Sequence, residues 1–550
     1  MDQELFALEK QLAEIDQALP KLSFAPSAEA LRGVQHTLCI LPNSESLDDA
    51  LPGRELLLAT LARRAESLVD LEKSPLLINS PEGGLFVCLV VPPEHSSFMR
   101  DSLLCKALAL LLSEHPATLH IVLHGALCPS DSQSLVEAAV YSAWVNGQAL
   151  PRQCAKPVQN LQHIYLSRPG ADVAQEEQHQ QARFAALAAR AAGNLLARRL
   201  TALPANVLTP ASYRACIEKM AQTEGWAVET FDLHKLEQLG AGAFLAVAQG
   251  SASRLDRRDP TAPHAAAIVH LRYTPPTPNS TEKAASAAAQ QIQSTQHSQS
   301  TRTTRVALVG KGICFDTGGH NLKPAKYMAG MHEDMNGSAV ALGLLLAVSR
   351  QKLPVQLDVW LAIAENHLSP QAYQQGDIVR ALNGTSIEIA HTDAEGRMVL
   401  ADTLTLAQQH AGEGLDLIID FATLTGSMVY ALGNRYAGVF ASEATLGQAA
   451  VAAGQASGER VCLFPQDEDY EAELESQIAD IKQCTLDGEA DHILATRFLK
   501  RFVGATPWLH LDLSASNCKG GLGAIASDLT GFGVAWGLEL LRRRLAVPSD

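Results

Sequence analysis

Short apolar runs and longer helical patterns alternate along the first 170 residues. GLFVCLVVPPE and LHIVLHG are compact apolar runs typical of buried strands, whereas LLCKALALLLSEH and SLVEAAVYSAWVNG repeat apolar residues at helical spacing. Strands and helices that alternate in this way indicate a layered α/β unit. We therefore predict a small N-terminal α/β domain over residues 1–173.

A single long helix is predicted next, over residues 174–201. The stretch AQEEQHQQARFAALAARAAGNLLARRLT is rich in alanine and arginine and contains no proline, so its helix propensity is high. Because it falls at a change of composition between two domain-sized segments, we interpret it as a connecting helix. The alternative is an ordinary amphipathic helix of the first domain.

Residues 202–550 repeat the α/β rhythm at a larger scale. The runs RVALVG, VQLDVWLAIA, SIEIA and LDLIIDFATL are typical of strands, and GSAVALGLLLAVSRQ and MVLADTLTLAQQHA are typical of helices. Their order predicts a mixed, mostly parallel central sheet flanked by helices, and hence a two-domain α/β protein. In such sheets ligands bind at the carboxyl ends of the strands.

One segment interrupts this rhythm, at residues 275–304. It is rich in proline, serine and glutamine and has no aromatic residue, so it cannot bury enough apolar area to offset the cost of ordering. We predict a flexible surface insertion between the strands AAAIVHLRY and TRVALVG. A tolerated loop is the simpler account, and a regulatory role is the alternative.

Composition and charge indicate a soluble globular protein. Of the 550 residues 47% are hydrophobic and 19% charged, and the net charge is −16. That charge argues against nucleic acid or an anionic membrane as the main partner. The sequence has no apolar run of 18 residues, no basic leader and no CxxC pair. We therefore expect no membrane span, a cytoplasmic location, and free thiols at the ten cysteines.

Charge concentrates in three segments beside the predicted strands and helices. GKGICFDTGGHNLKP covers residues 310–324, MHEDMNG residues 331–337 and IAHTDAEGR residues 389–397. They supply two lysines, one arginine and four carboxylates that we expect to face inward: Asp316, Asp334, Asp393 and Glu395. Closely packed carboxylates repel one another unless cations neutralise them, so the pattern favours a site for two divalent metal ions.

Asp393 and Glu395 stand two residues apart after the run SIEIA. In an extended segment such residues point to the same side, so both carboxylates would face one site while Ala394 points away. Gly396 would then permit a tight turn that brings Arg397 back towards that site.

Each charged segment taken singly has a simpler explanation. Asp334 has the position of a helix N-cap, and the DxE of Asp393 and Glu395 suits a solvated turn. GKG lacks the spacing of a phosphate-binding loop. HExxH and GxSxG are absent, so neither a helix-borne zinc hydrolase nor a serine nucleophile is supported.

Taken together, the segments resemble the cytosolic leucine aminopeptidases of the two-metal type. That family carries a motif close to NTDAEGR, here HTDAEGR, and a block close to GKGxxFDxGGxxxKP, here GKGICFDTGGHNLKP, with an aspartate eleven residues after its last lysine. LPANVLTP, DFATLTGSMVYALGN, PWLHLDLS and LTGFGV extend the resemblance over most of residues 195–540.

The resemblance implies a set of metal ligands and two cofactors. Asp316 and Glu395 would bridge two metals, Asp393 would complete one site with its backbone carbonyl as an extra ligand, and Asp334 and Lys311 would complete the other. Such a donor set suits zinc or manganese, and also magnesium or cobalt. The family also uses bicarbonate.

The resemblance also implies a mechanism for peptide hydrolysis. A water between the metals would attack the first peptide carbonyl, Lys323 would stabilise the oxyanion, and bicarbonate held by Arg397 would shuttle the proton. Binding of the free α-amine to one metal would restrict cleavage to the N-terminal residue. The resemblance places the specificity pocket at Met331, Thr423, Gly426, Ser514 and Asn517.

Several positions depart from the family pattern. His391 stands where asparagine is usual, and we expect it to have a structural role; Asn336 replaces a glycine. Ser514 and Asn517 make the expected specificity pocket more polar than usual. This argues against leucine as the preferred N-terminal residue more strongly than it argues against aminopeptidase activity.

Two alternatives to a general aminopeptidase stay open. A dipeptidase acting for example on Cys-Gly would use the same chemistry. A non-catalytic hexameric scaffold or DNA-binding regulator would need basic surface, and the one basic cluster in the sequence is Arg190, Arg198 and Arg199. The family resemblance further implies peptide substrates and a homohexamer of two stacked trimers.

Overall fold

The computed structural model describes residues 19–24, 27, 29–41, 47, 51, 53–79, 83–124, 129–152, 158–167, 173–251, 265–276, 303–412 and 414–545. Most of the predicted insertion, residues 277–302, lies outside this part of the chain. Among the described helices, none is both long and apolar enough to cross a bilayer.

A six-stranded sheet forms the N-terminal part. Its strands are β1 (Lys21–Phe24), β2 (His36–Leu41), β3 (Leu76–Asn79), β4 (Leu85–Val90), β5 (Thr118–Leu123) and β6 (His163–Ser167). They lie in the order β1-β6-β5-β2-β4-β3 and are parallel except for the pair β3 and β4. The accompanying helices are α1 (Arg54–Arg64), α2 (Ser97–Leu112) and α3 (Pro129–Asn146).

A long helix, α4 (Val173–Thr201), follows and packs against both parts of the molecule. Phe184 and Leu195 belong to the apolar core under the N-terminal sheet, whereas Leu196 and Leu200 belong to the core under the second sheet. The helix predicted over residues 174–201 therefore forms, and it is built into two cores at once. The domain limits drawn around it stay a prediction.

An eight-stranded sheet lies at the centre of the second part. Its strands are β7 (Ala227–Asp232), β8 (Ala267–Tyr273), β9 (Thr304–Asp316), β10 (Val355–Asn366), β13 (Leu417–Ala422), β14 (Ala437–Ala441), β15 (Val461–Leu463) and β17 (Trp508–Asp512). The order is β15-β14-β17-β13-β9-β10-β8-β7, with parallel strands in the middle and antiparallel pairs at β14–β17, β10–β8 and β8–β7. This is the mixed, mostly parallel sheet that the sequence predicts.

Helices cover both faces of this sheet. They are α5 (Pro210–Glu224), α6 (Leu233–Leu239), α7 (Gly242–Ala248), α8 (Ala325–Met328), α9 (Asn336–Arg350), α10 (Glu395–Ala411), α11 (Gly426–Leu432), α12 (Ala444–Ser457), α13 (Asp491–Lys500) and α14 (Val534–Arg544). Helix α9 lies on one face and α10 on the other, and their buried residues belong to two separate apolar cores. The start of each helix meets the carboxyl end of β9.

Two strand predictions need correction. From the sequence, the charged segment beginning at Gly310 is predicted to be a loop after the strand RVALVG. In the structure β9 continues through Asp316, so Lys311 and Asp316 lie on a strand. The run SIEIA does form a strand, β12 (Ser386–Glu388), yet it pairs with β11 (Ile378–Arg380) and β16 (Ile481–Lys482) in a small separate sheet. Hydrophobic periodicity misses the end of β9 because the last part of this buried strand contains polar residues. It also does not show which sheet a short apolar run such as SIEIA joins.

Candidate metal centre and active site

Strand β9 and helix α9 approach each other closely enough to fix the first two acidic residues. A side chain at Gly310 would place its Cβ 2.5 Å from the Cα of Ser338 in the first turn of α9. Only glycine permits this backbone contact, which holds the first turn of α9 against the middle of β9. Asp316 at the end of the strand and Asp334 before the helix therefore face one cleft.

The second acidic pair comes from the turn that opens α10. Asp393 lies in a turn and Glu395 is the first residue of the helix, so the two do not belong to an extended segment as expected. They still reach one site because the turn redirects the backbone between them. Gly396 was expected to form a tight turn, but it lies inside the helix. A Cβ at this position would come within 2.8 Å of Lys311 Nζ, so glycine is needed here because it has no side chain.

Two lysines bridge the four carboxylates. Lys311 Nζ lies 2.9 Å from both Asp334 Oδ2 and Glu395 Oε1. Lys323 Nζ lies 2.9 Å from Asp316 Oδ2 and 2.5 Å from an oxygen of Asp393. Burial alone would lower the pKa of each lysine, but attraction to the carboxylates outweighs burial and raises both.

Two of the carboxyl groups have strongly raised pKa values. Burial raises the pKa of Asp334 to about 7, and the charges of Glu395 and Asp316 add to the shift. Burial raises the pKa of Asp393 to about 8, again with help from the two neighbouring carboxylates. The two lysines therefore do not fully stabilise the negative charge of the four carboxylates. A bound cation would reduce the repulsion among these carboxylates.

The arrangement of oxygens fits a divalent metal. One oxygen each from Asp316, Asp393 and Glu395 lies within 4.8 Å of the other two. Within the described residues, the buried Oε2 of Glu395 has no hydrogen-bond partner. A buried carboxylate oxygen without a partner is costly unless a cation or water completes it, and a hard divalent cation prefers such oxygen donors.

A second cluster of possible ligands, far along the sheet, is already committed to other partners. Oxygen and nitrogen atoms of Glu229, His270 and His410 also come within 4.8 Å of one another. His270 Nε2, however, lies 2.8 Å from Asp358 Oδ1, and Glu229 pairs with Lys235 at 2.5 Å. We therefore assign metal binding to the acidic cluster alone.

A network of side chains that the sequence analysis missed holds the acidic turns in place. Asn366, at the end of β10, donates from Nδ2 to Asp316 Oδ1 at 2.8 Å and to the Thr392 carbonyl at 3.0 Å. The hydroxyl of Tyr373 donates to the same carbonyl at 2.8 Å, and the Thr392 hydroxyl donates to the Gly318 carbonyl at 2.6 Å. These bonds tie the end of β9 to the turn before α10.

Arg397 is buried beside this cluster. Its Nη2 donates to Asp491 Oδ1 at 2.7 Å and its Nη1 to the Gln483 carbonyl at 3.1 Å. Burial would lower the pKa of Arg397, but the charge of Asp491 outweighs it and raises the pKa. Asp491 and Gln483 were not predicted, and no motif surrounds them.

Two of the residues that depart from the family pattern, His391 and Asn336, form hydrogen bonds within the fold. His391 Nδ1 accepts from the Asp393 backbone N–H at 3.2 Å, and the residue lies in the wall of the cleft above the acidic cluster. Its structural role stays a prediction. Asn336 Nδ2 donates to Thr201 Oγ1 at 3.0 Å, which joins the start of α9 to the end of α4.

A cleft of about 910 Å³ opens above the acidic cluster. All five residues of the expected specificity pocket line it: Met331, Thr423, Gly426, Ser514 and Asn517. Glu333 and Asn434 also line the cleft, although sequence reasoning did not single them out. Tyr430, with 85% of its surface exposed, lies at the mouth.

Comparisons with known proteins agree with this geometry. Residues 195–285 and 280–536 match the model of the cytosol aminopeptidase family, catalytic domain. A probable cytosol aminopeptidase of Synechococcus sp. (strain JA-3-3Ab) is 36% identical over 394 residues, covering 71% of this chain and 70% of that protein. One from Gluconobacter oxydans (strain 621H) is 37% identical over 382 residues, covering 69% and 68%.

A solved structure is similar over most of the chain. The bottromycin maturation enzyme BotP in complex with Mn superposes with a TM-score of 0.75 at 27% sequence identity. The similarity covers 93% of this chain and 100% of that one.

Proposed function

The chain belongs to the cytosol aminopeptidase family and is a metal-dependent aminopeptidase, and from that premise we propose how its cleft removes the N-terminal residue of a peptide. The observation that carries the proposal is the buried acidic cluster, in which oxygens of three carboxylates lie within 4.8 Å of one another beside two lysines. A cytoplasmic location is part of the proposal, in keeping with the names of the relatives.

Five side chains would hold two divalent cations: Lys311, Asp316, Asp334, Asp393 and Glu395. Asp316 and Glu395 are the most buried of the four carboxylates, each 2% exposed, and are the natural shared donors. When bound, such ions polarise a carbonyl oxygen and lower the pKa of water. Lys311 must lose its proton to act as a donor, which a neighbouring dication favours. Zinc and manganese are the first candidates, followed by magnesium and cobalt.

Lys323 would stabilise the negative charge that develops on the peptide oxygen. Its ammonium group lies in the wall of the cleft and is held by Asp316 and Asp393, whose attraction raises its pKa. Even without this attraction, the ordinary pKa of a lysine, about 10.4, would keep the group cationic at neutral pH. A fixed cation aimed at developing negative charge lowers the barrier of acyl transfer because no reorganisation is needed.

Arg397 would hold the bicarbonate that moves the proton to the leaving amine. Its guanidinium is fixed by Asp491 and the Gln483 carbonyl and lines the cleft. No histidine is placed as a base by the family pattern, so a small bound anion is the proposed proton carrier.

The cleft favours peptides over the alternatives raised by the sequence. Its volume of about 910 Å³ and its exposed aromatic mouth suit substrates longer than a dipeptide. Arg198 and Arg199, which a DNA-binding role would need at the surface, are each only 2% exposed. A homohexamer remains part of the proposal on the strength of the family resemblance.

The test is an assay of N-terminal residue release, with added manganese or zinc and after chelation. Aminoacyl p-nitroanilides and dipeptides serve as substrates for the wild type, Glu395→Ala and the exposed control Glu237→Ala. We expect the Glu395 variant to lose more than about 100-fold in kcat/KM, because removing a ligand costs more than the 10–100-fold seen for its supporting residues. Full activity after chelation, or in the Glu395 variant with unchanged metal content, would refute the proposal.

A further inference from the structure

A carboxylate lies in the wall of the cleft beside the expected specificity pocket. Glu333 ends the short 3₁₀ turn Met331–Glu333, so it is two residues from Met331 on the same turn. Its Oε2 accepts a hydrogen bond of 2.9 Å from Asn517 Nδ2, and the Asn517 carbonyl accepts one of 2.7 Å from Asn434. The Glu333 carboxylate is therefore positioned by the pocket itself.

This carboxylate has no cationic partner of its own. Among the described residues, no lysine, arginine or histidine forms an ion pair with Glu333. The three cations that line the cleft are engaged with other carboxylates: Lys311 with Asp334 and Glu395, Lys323 with Asp316 and Asp393, and Arg397 with Asp491. Among the described residues that line the cleft, Glu333 is thus a half-buried carboxylate without a cationic partner, and the cation of a substrate could neutralise its charge.

Polar side chains accompany Glu333 in the wall of the cleft. Asn517 presents an amide, and Ser514 carries a hydroxyl that donates to the Tyr436 carbonyl at 2.7 Å. An aliphatic side chain placed here would strip water from the carboxylate and the amide without replacing their hydrogen bonds, which carries a cost. An ammonium or guanidinium group would replace that water with a charge-assisted hydrogen bond.

We propose that the cleft selects peptides whose N-terminal residue is lysine or arginine, and that Glu333 recognises the cationic side chain. The inference rests on the proposed aminopeptidase function and adds a substrate class to it. Asn517 is the positioning residue that holds the carboxylate. Specificity then comes from one charge in the wall of the cleft, on a residue that is not itself a proposed metal ligand.

The test compares lysine with norleucine, which has the same carbon chain without the ammonium group. The manganese-loaded protein is assayed on lysyl, arginyl, norleucyl and leucyl p-nitroanilides, as wild type, Glu333→Gln and the exposed control Glu237→Gln. We expect the wild type to favour lysine over norleucine about tenfold or more in kcat/KM, the size of a charge-assisted hydrogen bond. The ratio should fall towards one in Glu333→Gln and stay unchanged in the control.

A binding measurement separates the two proposals. Calorimetric titration with free L-lysine and L-norleucine reports on the pocket even when nothing is hydrolysed. An active wild type that prefers norleucine or leucine, or a lysine preference that survives Glu333→Gln, overturns the inference and leaves the aminopeptidase function standing. If no substrate is hydrolysed, the proposed function fails. Tighter binding of lysine, lost in Glu333→Gln, would then still support the pocket, and equal binding would overturn it.

Discussion

At the scale of single residues, the proposed role of Arg397 in binding bicarbonate can be tested by mutation. Its guanidinium is buried, is fixed by Asp491 and the Gln483 carbonyl, and lines the cleft. If Arg397 holds the proton-carrying anion, removing its side chain lowers turnover for two reasons. The anion loses its binding site, and the active site loses a positive charge.

We expect Arg397→Ala to lower kcat/KM by roughly 100-fold or more, which is the usual contribution of proton transfer. Bicarbonate should stimulate the wild type and fail to stimulate the variant, as a titration of bicarbonate in carbonate-depleted buffer would show. Arg543→Ala, which removes an exposed arginine of α14, is the matched control. An equal bicarbonate response in both variants would exclude the anion role.

The acidic residues of the site were predictable from the sequence, and their supports were not. Asp316, Asp334, Asp393 and Glu395 stand in dense charged motifs, and the structure brings them together. Asn366, Tyr373, Gln483 and Glu333 carry no local signal because their importance comes from contacts with residues 19 to 184 positions away in the sequence. Such contacts become visible only when the chain is folded.

At the scale of elements, the crossing of α4 and α9 is held by two glycines. A Cβ on Gly343 would collide with the carbonyl oxygen of Gly193, and a Cβ on Gly193 with that of Gly343. The two helix backbones therefore touch, which leaves no space for even a methyl group.

We expect Gly343→Ala to destabilise the protein by about 1–3 kcal/mol, the usual cost of overpacking. The gain in helix propensity offsets part of this cost, by up to about 1 kcal/mol. Urea unfolding of the variant checks the value, with Gly384→Ala, at an open turn with positive φ, as a control for strain without contact. A stability equal to or above that of the wild type would show that the helices can separate freely.

A buried carboxylate in α10 makes the stability of the folded protein depend on pH, and this effect also belongs to the scale of elements. Asp402 accepts backbone hydrogen bonds from Phe244 and Leu382, at 2.9 and 2.7 Å, and so joins α10 to α7 and to the segment after β11. Burial raises its pKa to about 7. Between the unfolded value of about 3.9 and this folded value, the native state binds the proton more tightly, so stability falls as pH rises through that window.

We expect wild type to be more stable than Asp402→Asn, because the amide cannot accept both hydrogen bonds. The gap should narrow by on the order of 2 kcal/mol between pH 5 and pH 8, since each pKa unit corresponds to about 1.4 kcal/mol. Urea unfolding of both proteins at the two pH values measures the gap, and shared titrations cancel in the difference. A gap that widens with pH would contradict the raised pKa.

The sequence predicted the type of most elements better than their ends. The strand RVALVG was recognised, but its continuation to Asp316 was not, because Lys311 and Asp316 look like loop residues until their buried ion pairs are known. The helix over residues 174–201 was predicted almost to its ends, since proline-free alanine-rich sequence has few competing conformations.

At the scale of the whole molecule, assembly is open to a direct test. Six copies of the 58.8 kDa chain have a mass of roughly 350 kDa, the value expected for a closed hexamer of two trimers. Light scattering coupled to size-exclusion chromatography should show this mass at micromolar concentration. A fully active species near 59 kDa would refute the hexamer without touching the chemistry.

Helix α4 has a consequence for how this protein can be divided. The recognisable family segment begins at residue 195, yet Leu195 packs into the N-terminal core and Leu196 into the core under the central sheet. A gene fragment starting there would encode only the last seven of the 29 residues of α4, and it would leave the face of α9 at Gly343 without its neighbour Gly193. The segment that similarity recognises is thus not one that recombination could transplant. To be inherited as a functioning unit, this segment must keep the first 22 residues of the helix, which lie before the recognised segment.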